Sequence, residues 1–152
     1  MKVEIREVSG MIEVYKGTIY LKFPKTLQFT DTDLWISIEG RKCVIGLSDF
    51  QAELLGDITE ISLPLEEQIV EPDLEIGVIE GSRDIFGIIS PIRGQILARN
   101  PLVLSKPYLT NTDPYGEGWL LKMDGRVETK ILTTREYVKL VEERLLREKK
   151  PL

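Results

Sequence analysis

The stretch Leu74–Asn100, LEIGVIEGSRDIFGIISPIRGQILARN, constrains the fold more than any other part of the chain. It opens on alternating apolar residues (Leu74, Ile76, Val78) and breaks at Gly81-Ser82-Arg83-Asp84. It resumes with Ile85, Phe86, Ile88 and Ile89 and turns again at Ser90-Pro91-Ile92-Arg93-Gly94. A polar, Gly-containing break between two runs rich in β-branched residues is a hairpin signal. Its tip is expected to carry Glu80, Ser82, Arg83 and Asp84 into solvent, which makes those four residues the candidate docking site for a partner. A chain built around such a hairpin has a β framework.

Flanking segments agree. Residues 2–7 and 11–23 alternate as strands, separated by turns at Ser9-Gly10 and Lys16-Gly17, and the polar stretch Gln28–Asp33 reads as a loop. Leu34–Glu39 and Lys42–Leu47 form a further hairpin around Gly40-Arg41. Ser48-Asp49-Phe50-Gln51 reads as a capping box that starts a short helix, Asp49–Leu55, ended by Gly56. Asp57–Leu63 alternates again and stops at Pro64. The run Pro64–Val70 then matches Pro91–Leu97 in its proline, glutamine and apolar pattern, which suggests two strand-turn units side by side. After Asn100 the sequence is turn-rich. Trp119–Met123 reads as a strand, Asp124-Gly125 as a tight turn and Val127–Leu132 as another strand. Thr133-Thr134-Arg135-Glu136 is a second capping box, opening a helix to about Lys149 whose apolar stripe is Val138, Val141 and Leu145, with Tyr137 beside it.

Bulk properties narrow the function. The chain has 152 residues, enough for one domain with a modest appendage, and a formal net charge of −5 with acid and base interspersed. That balance argues against a nucleic-acid partner. No apolar run approaches a bilayer span, and MKVEIREVSG lacks the apolar core of a signal peptide, so a cytoplasmic protein is expected. Histidine is absent, which removes imidazole catalysis and every His-containing metal site. The single Cys43, read as a half-buried structural thiol, allows no internal disulfide or Cys-rich zinc site and fits a reducing compartment. No catalytic set can be assembled from what remains, so the chain reads as a carrier-like or binding protein without a metal.

The residues Leu34-Trp35, Ile45–Gln51, Leu55-Gly56-Asp57-Ile58, Leu63-Pro64, Ser90-Pro91, Gly94, Asn100 and Thr110–Leu120 (TNTDPYGEGWL) resemble the H protein of the glycine cleavage system. The resemblance covers roughly Phe29 to Met123, and Asn111–Trp119 is its most specific part. It implies a mainly β, lipoyl-domain-like barrel-sandwich hybrid, with the short helix near 49–55 and a C-terminal helix. Three segments follow: a strand extension over 1–28, the H-protein-like domain over 29–132, and the helix over 133–152 packed on the same domain.

Family members attach lipoate to a lysine in a Glu-Ser-Val-Lys-Ala-type hairpin. The aligned residues here are Glu80-Gly81-Ser82-Arg83-Asp84, so the resemblance puts Arg83 at the lipoyl-lysine position. Amide formation needs a neutral amine, whereas a guanidinium has a pKa above ~12 and delocalised lone pairs. Lipoate is therefore the cofactor of the family and is not expected on this chain. The His-Glu that precedes the first tryptophan in many members is also changed, to Asp33-Leu34. Arg83 reads as a solvated turn charge, as a docking charge matching a carboxylate or phosphate through a bidentate fork, or, least simply, as an anion-binding catalytic group.

A second tip carries a real lysine. Ile38-Glu39-Gly40-Arg41-Lys42 echoes Ile79-Glu80-Gly81-Ser82-Arg83, and Glu39 and Lys42 repeat the Glu-x-x-Lys spacing. Ordinary turns recur this readily, so Lys42 is the alternative modification site and also the simplest of solvated charges. Two functions follow. One is a non-lipoylated module that docks on partners of lipoyl carriers, such as a glycine-decarboxylase-type enzyme, a lipoate-attaching enzyme or a related redox complex. The other is a working carrier in glycine cleavage or related one-carbon or sulfur metabolism, modified at another lysine.

Overall fold

A computed structural model describes residues 2–147. Lys149, assigned above to the polar side of the C-terminal helix, lies outside the described residues.

The chain begins as a meander, β1 (Val3–Val8), β2 (Met11–Lys16) and β3 (Ile19–Pro24), which forms a three-stranded sheet of its own. Next come β4 (Gln28–Thr30), β5 (Leu34–Glu39), β6 (Lys42–Leu47), α1 (Asp49–Leu55), β7 (Ile58–Ser62) and β8 (Ile69–Val70). The central hairpin is β9 (Glu75–Gly81) and β10 (Ile85–Ile89), followed by β11 (Ile92–Arg99). Two short helices, α2 (Pro101–Ser105) and α3 (Leu109–Thr112), lead to β12 (Leu121–Val127), β13 (Ile131–Thr133) and α4 (Thr134–Arg147). Seven strands form the largest sheet, in the order β13-β4-β5-β6-β12-β11-β8, and β10-β9-β7 form the third.

Two apolar cores follow from strand alternation. Leu34 and Ile36 of β5 face the first core, between the seven-stranded sheet and β10-β9-β7, where Ile45, Ile79, Ile88, Ile96 and Met123 are also buried. Trp35, one residue out of phase, faces the second core with Phe29, Phe50 and Leu132. Successive strand side chains point to opposite faces, so a strand covered on both sides reads as a continuous apolar run. The second core is completed by Ile12, Val14, Leu21 and Phe23 of the meander and by Tyr137, Val138, Val141 and Leu145 of α4. Phe29 stacks on Tyr137 at 4.5 Å between ring centroids. The Tyr137 hydroxyl bonds to Asp33 Oδ1 at 2.8 Å and to Ser48 Oγ at 2.7 Å. Arg144 donates to both Asp33 oxygens, at 2.8 and 2.9 Å. This buried network ties α4 to the start of α1.

Several expectations change. Gln28–Thr30 is not loop but the short strand β4, pairing with both β5 and β13. Asp124-Gly125 is not a turn: β12 runs straight through it, with Gly125 opposite Gly94 of β11. A Cβ on Gly94 would meet Asp124 O at 2.0 Å, and one on Gly125 would meet Arg93 O at 2.2 Å. This glycine pair lets the two backbones approach, and a sequence alone reads it as a bend. The turn-rich stretch after Asn100 holds α2 and α3, with the Asn100 side chain accepting from Leu102 N at 3.0 Å. The first capping box is half formed: Ser48 Oγ accepts from Gln51 N at 3.2 Å, but Gln51 Nε2 donates to Asp33 Oδ2 at 2.7 Å instead of reaching back. The second is complete, with Glu136 Oε1 accepting from Thr133 N and Thr133 Oγ1 from Glu136 N. The matching runs 64–70 and 91–97 do lie side by side: Ile69 pairs with Gln95, and Val70 with Gly94.

Candidate functional site

The β9–β10 tip does not stand away from the body. Its residues are sewn to the C-terminal end of α1. Ser82 N donates to Asp57 O at 2.9 Å and Ser82 Oγ accepts from Asp57 N at 3.1 Å. Arg83 N donates to Leu55 O at 3.0 Å, and its Nη1 donates to Glu53 O at 3.0 Å. The last carbonyls of a helix have no partner within it, and a guanidinium there also meets the negative end of the helix dipole. Arg83 thus satisfies two of those groups, one with its main chain and one with its side chain.

Glycines permit this approach. A Cβ on Gly81 would sit 2.2 Å from Leu55 O, and one on Gly56 would sit 2.4 Å from Ser82 Oγ. Gly56 also needs its positive φ of 75° to end the helix. Asn111 of α3 closes the junction from the other side: its Nδ2 donates to Gly56 O at 2.8 Å, and its Oδ1 accepts from Ile58 N at 2.9 Å.

Of the four tip residues, Ser82, Arg83 and Asp84 are exposed, whereas Glu80 is half-buried within β9. Arg83 makes no ion pair with Glu80 or Asp84 among the described residues; its partners are helix carbonyls. Asp84 turns inward on the tip, its Oδ1 accepting from Ile85 N at 2.8 Å and its O from Gly81 N at 2.9 Å. Beside the tip lies a cleft of about 260 Å³ between α1, Asn111 and Ser82-Arg83, with Asp49, Glu53 and Asp57 on its walls. Burial pushes the Asp49 carboxyl up, against the hydrogen bond from Lys22 N.

Lys42 belongs to a different sheet. It is exposed at the start of β6, opposite Glu39 on one side and Asp124 on the other. Its turn is held by Gly125 N donating to Arg41 O at 2.8 Å and by an Arg41–Asp124 pair at 3.2 Å. The structure therefore does not bring Lys42 and Arg83 into one site. Cys43 beside it is buried rather than half-buried, and burial followed by the Asp124 charge pushes its thiol up to about 11. No cluster of three or more metal-ligating side chains exists among the described residues, and no helix there is long and apolar enough to cross a membrane. Sequence reasoning placed Asn111 in a characteristic stretch but missed it as the clamp, because its partners lie more than fifty residues away.

The two facing sheets, the hairpin and the C-terminal helix define a mainly β, lipoyl-domain-like barrel sandwich. A solved structure of a glycine cleavage system H protein from Mycobacterium marinum superposes with a TM-score of 0.74 at 28% identity, covering 78% of this chain and 98% of that one. The model of the glycine cleavage H-protein family matches residues 27–144. The chain belongs to that family. Among its relatives, the glycine cleavage system H protein of Bacteroides fragilis is 37% identical over 103 residues, 68% of this chain and 82% of the relative. The probable glycine cleavage system H protein of Aeropyrum pernix is 32% identical over 138 residues, 88% of this chain and 96% of the relative.

Proposed function

We propose that this chain is a non-lipoylated H-protein-like module that docks on protein partners of lipoyl carriers, and that Arg83 stands where the family's lipoyl lysine would be. The observation that carries this reading is the state of Arg83 itself. Its guanidinium has no neutral nitrogen to acylate, and its Nη1 caps the end of α1 at Glu53 O. A swinging arm needs a free anchor, whereas this side chain commits one of its five donors to its own fold and leaves the rest for a partner. Ser82, Arg83 and Asp84 are exposed around a polar cleft, a surface suited to a protein partner with mixed charge. A glycine-decarboxylase-type enzyme, a lipoate-attaching enzyme or a related redox complex fits that description. The module carries no catalytic set of its own.

The test is intact-mass measurement of protein made with lipoate and a competent ligase. The expected result is the unmodified mass, with direct binding to a glycine-decarboxylase-type enzyme or a lipoate ligase that weakens when Arg83→Glu reverses the tip charge. A lipoyl increment mapping to Lys42 would overturn the reading in favour of a working carrier that uses the other hairpin.

A further inference from the structure

The meander β1–β3 lies outside the stretch that matches the family model. Within it, β1 pairs with β2 along one edge only, and among the described residues nothing pairs with the other edge. Every residue of β1 except Val3 is exposed, including Ile5 at 41% and Val8 at 49%. An unpaired edge is a template for another strand, and natural sheets often blunt it with charge. The charges of β1 are Glu4, Arg6 and Glu7, with Glu4 and Arg6 two residues apart and of opposite sign.

The turn fixes which groups point outward. Ser9 and Gly10 both have positive φ, 47° and 80°, the signature of a two-residue type I′ turn. Such a turn makes its flanking pair, Val8 and Met11, a hydrogen-bonded pair, and the ladder then alternates. Arg6 and Glu4 therefore aim their main-chain groups at β2, while Glu7, Ile5 and Val3 aim theirs at the free edge. Pro24 supports the same phase one strand further on: opposite Met11 of β2 it occupies a position where the alternation asks for no N–H.

We propose that this free edge pairs with the same edge of a second copy of this chain, β1 antiparallel to its partner's β1, with Ile5 opposite Ile5 across a two-fold axis. In that register Val3 and Glu7, Ile5 and Ile5, and Glu7 and Val3 exchange main-chain hydrogen bonds, using every outward group of the strand. The intervening, more closely spaced pairs are Glu4 against Arg6 and Arg6 against Glu4. Opposite charges directly across strands are favourable, and like charges unfavourable. Sliding the pairing by two residues one way puts Glu4 on Glu4; sliding it the other way puts Arg6 on Arg6. A slide of one residue sets outward groups against inward ones. One register alone satisfies both ladder and charge.

The side chains permit it. Val3, Ile5 and Glu7 lie on the face toward α4, where Ile12, Val14, Leu21 and Phe23 are buried, so an Ile5–Ile5 contact extends that apolar layer between the copies. Glu7 is held by Arg135 at 2.8 Å and Lys25 at 3.1 Å, so its carboxylate already has cationic partners within its own chain. On the opposite face, Arg6 lies 5.3 Å from the Tyr15 ring centroid and 3.7 Å from Glu4, beside the two-fold. A junction of two short strands buries less than the roughly 1,200 Å² typical of stable complexes, so the dimer is a concentration-dependent one. It rests on β1 alone and is independent of the reading of Arg83.

The experiment is sedimentation equilibrium of the full chain over a concentration series reaching the sub-millimolar range. The wild type is expected to move from 17.4 kDa toward twice that mass. Ile5→Pro removes an outward N–H without touching the β1–β2 ladder, and is expected to weaken dimerisation at least about tenfold. Glu4→Arg and Arg6→Glu, each on the solvent face, should each be monomeric. An equimolar mixture of the two restores the dimer, because positions 4 and 6 of one variant then face positions 6 and 4 of the other with opposite charge. Circular dichroism of each variant at low concentration is expected to match the wild type. A wild type that stays monomeric throughout overturns the proposal. So does a dimer indifferent to Ile5→Pro and to both charge reversals, which would be built on another surface. Failure of the mixture to reassociate would overturn the register.

Discussion

The two look-alike hairpins of this chain use the same letters for opposite reasons. Ile38-Glu39-Gly40-Arg41-Lys42 and Ile79-Glu80-Gly81-Ser82-Arg83 share a Glu-Gly pair and a basic residue at the end. Gly40 is needed for backbone conformation: its φ is 63°, and a Cβ there would meet nothing within 4 Å. Gly81 is needed for space: its φ is ordinary, but a Cβ would strike the main chain of α1. Among the described residues, the first tip rests only on the neighbouring strand β12, through Arg41 O and the exposed Arg41–Asp124 pair. The second is a joint between a sheet and a helix. Resemblance at the turn thus says nothing of what the turn is pressed against: the first touches a neighbouring strand, the second the end of a helix.

The two tips differ most at these glycines. Gly81→Ala is expected to destabilise by about 3 kcal/mol, because the obstacle is backbone and the tip must detach from α1 to make room. Gly40→Ala meets only the left-handed penalty, about 1 kcal/mol. Denaturant unfolding of the two variants measures both, and equal losses would mean that the second tip is as free as the first.

Cys43, paired with Ile38 one step from the turn, tests the stem of the first hairpin. With its thiol pushed up to about 11 by burial, native protein at mildly alkaline pH should react with an aromatic disulfide reagent roughly 100-fold more slowly than unfolded protein, since only the thiolate attacks. Stability is linked to the same shift. The unfolded thiol ionises first, near 9, so this group's contribution to stability falls as pH rises from about 9 through about 11. Fast labelling in the native state would show that the stem, and not only the tip, opens to solvent.

The clamps differ in the same direction. Asn111→Ala leaves Ile58 N and Gly56 O without their partner at the second tip, and should cost about 2 kcal/mol. At the first tip Asp124→Ala removes only an exposed pair with Arg41, worth under about 1 kcal/mol. Thermal unfolding of both variants separates a built joint from a surface contact; comparable shifts would remove the distinction.

How much of this was written locally varies by element. The β5–β6 hairpin, α1, α4 and its capping box were legible because each rests on periodicity or on partners three or four residues apart. The joint was not. Arg83 is satisfied by carbonyls thirty residues back at Glu53, and Asn111 by groups at positions 56 and 58. No local signal distinguishes such an arginine from a solvated one. The Gly94–Gly125 pair failed for a related reason, since a glycine that admits a neighbouring strand and a glycine that turns the chain look alike in sequence. Likewise β4 hides in polar sequence because only Phe29 and Thr30 of its three residues are buried. The Glu53–Leu55 end of α1 was legible as a helix end, but its partner was not.

The smallest structural change carries the sharpest chemical question. Arg83→Lys keeps a cation at the end of α1, and an ammonium can still donate to Glu53 O, so stability should change by no more than about 0.5 kcal/mol. The tip then holds the amine that the family acylates, and intact mass with lipoate and ligase reads whether it is taken. We expect partial modification. The lysine must leave the helix cap to be acylated, and Asp84 stiffens the turn by accepting from Ile85 N and, through its carbonyl, from Gly81 N. Adding Asp84→Ala removes the side-chain bond and a negative charge and should raise the modified fraction. Lys42, in the same sample, should stay unmodified, because its two-residue turn offers the amine without the α1 surface against which the second tip is shaped. Complete modification of the single variant would show that the joint presents no barrier. A tip that loses only its lysine would then explain the unmodified parent better than one rebuilt to hold an arginine.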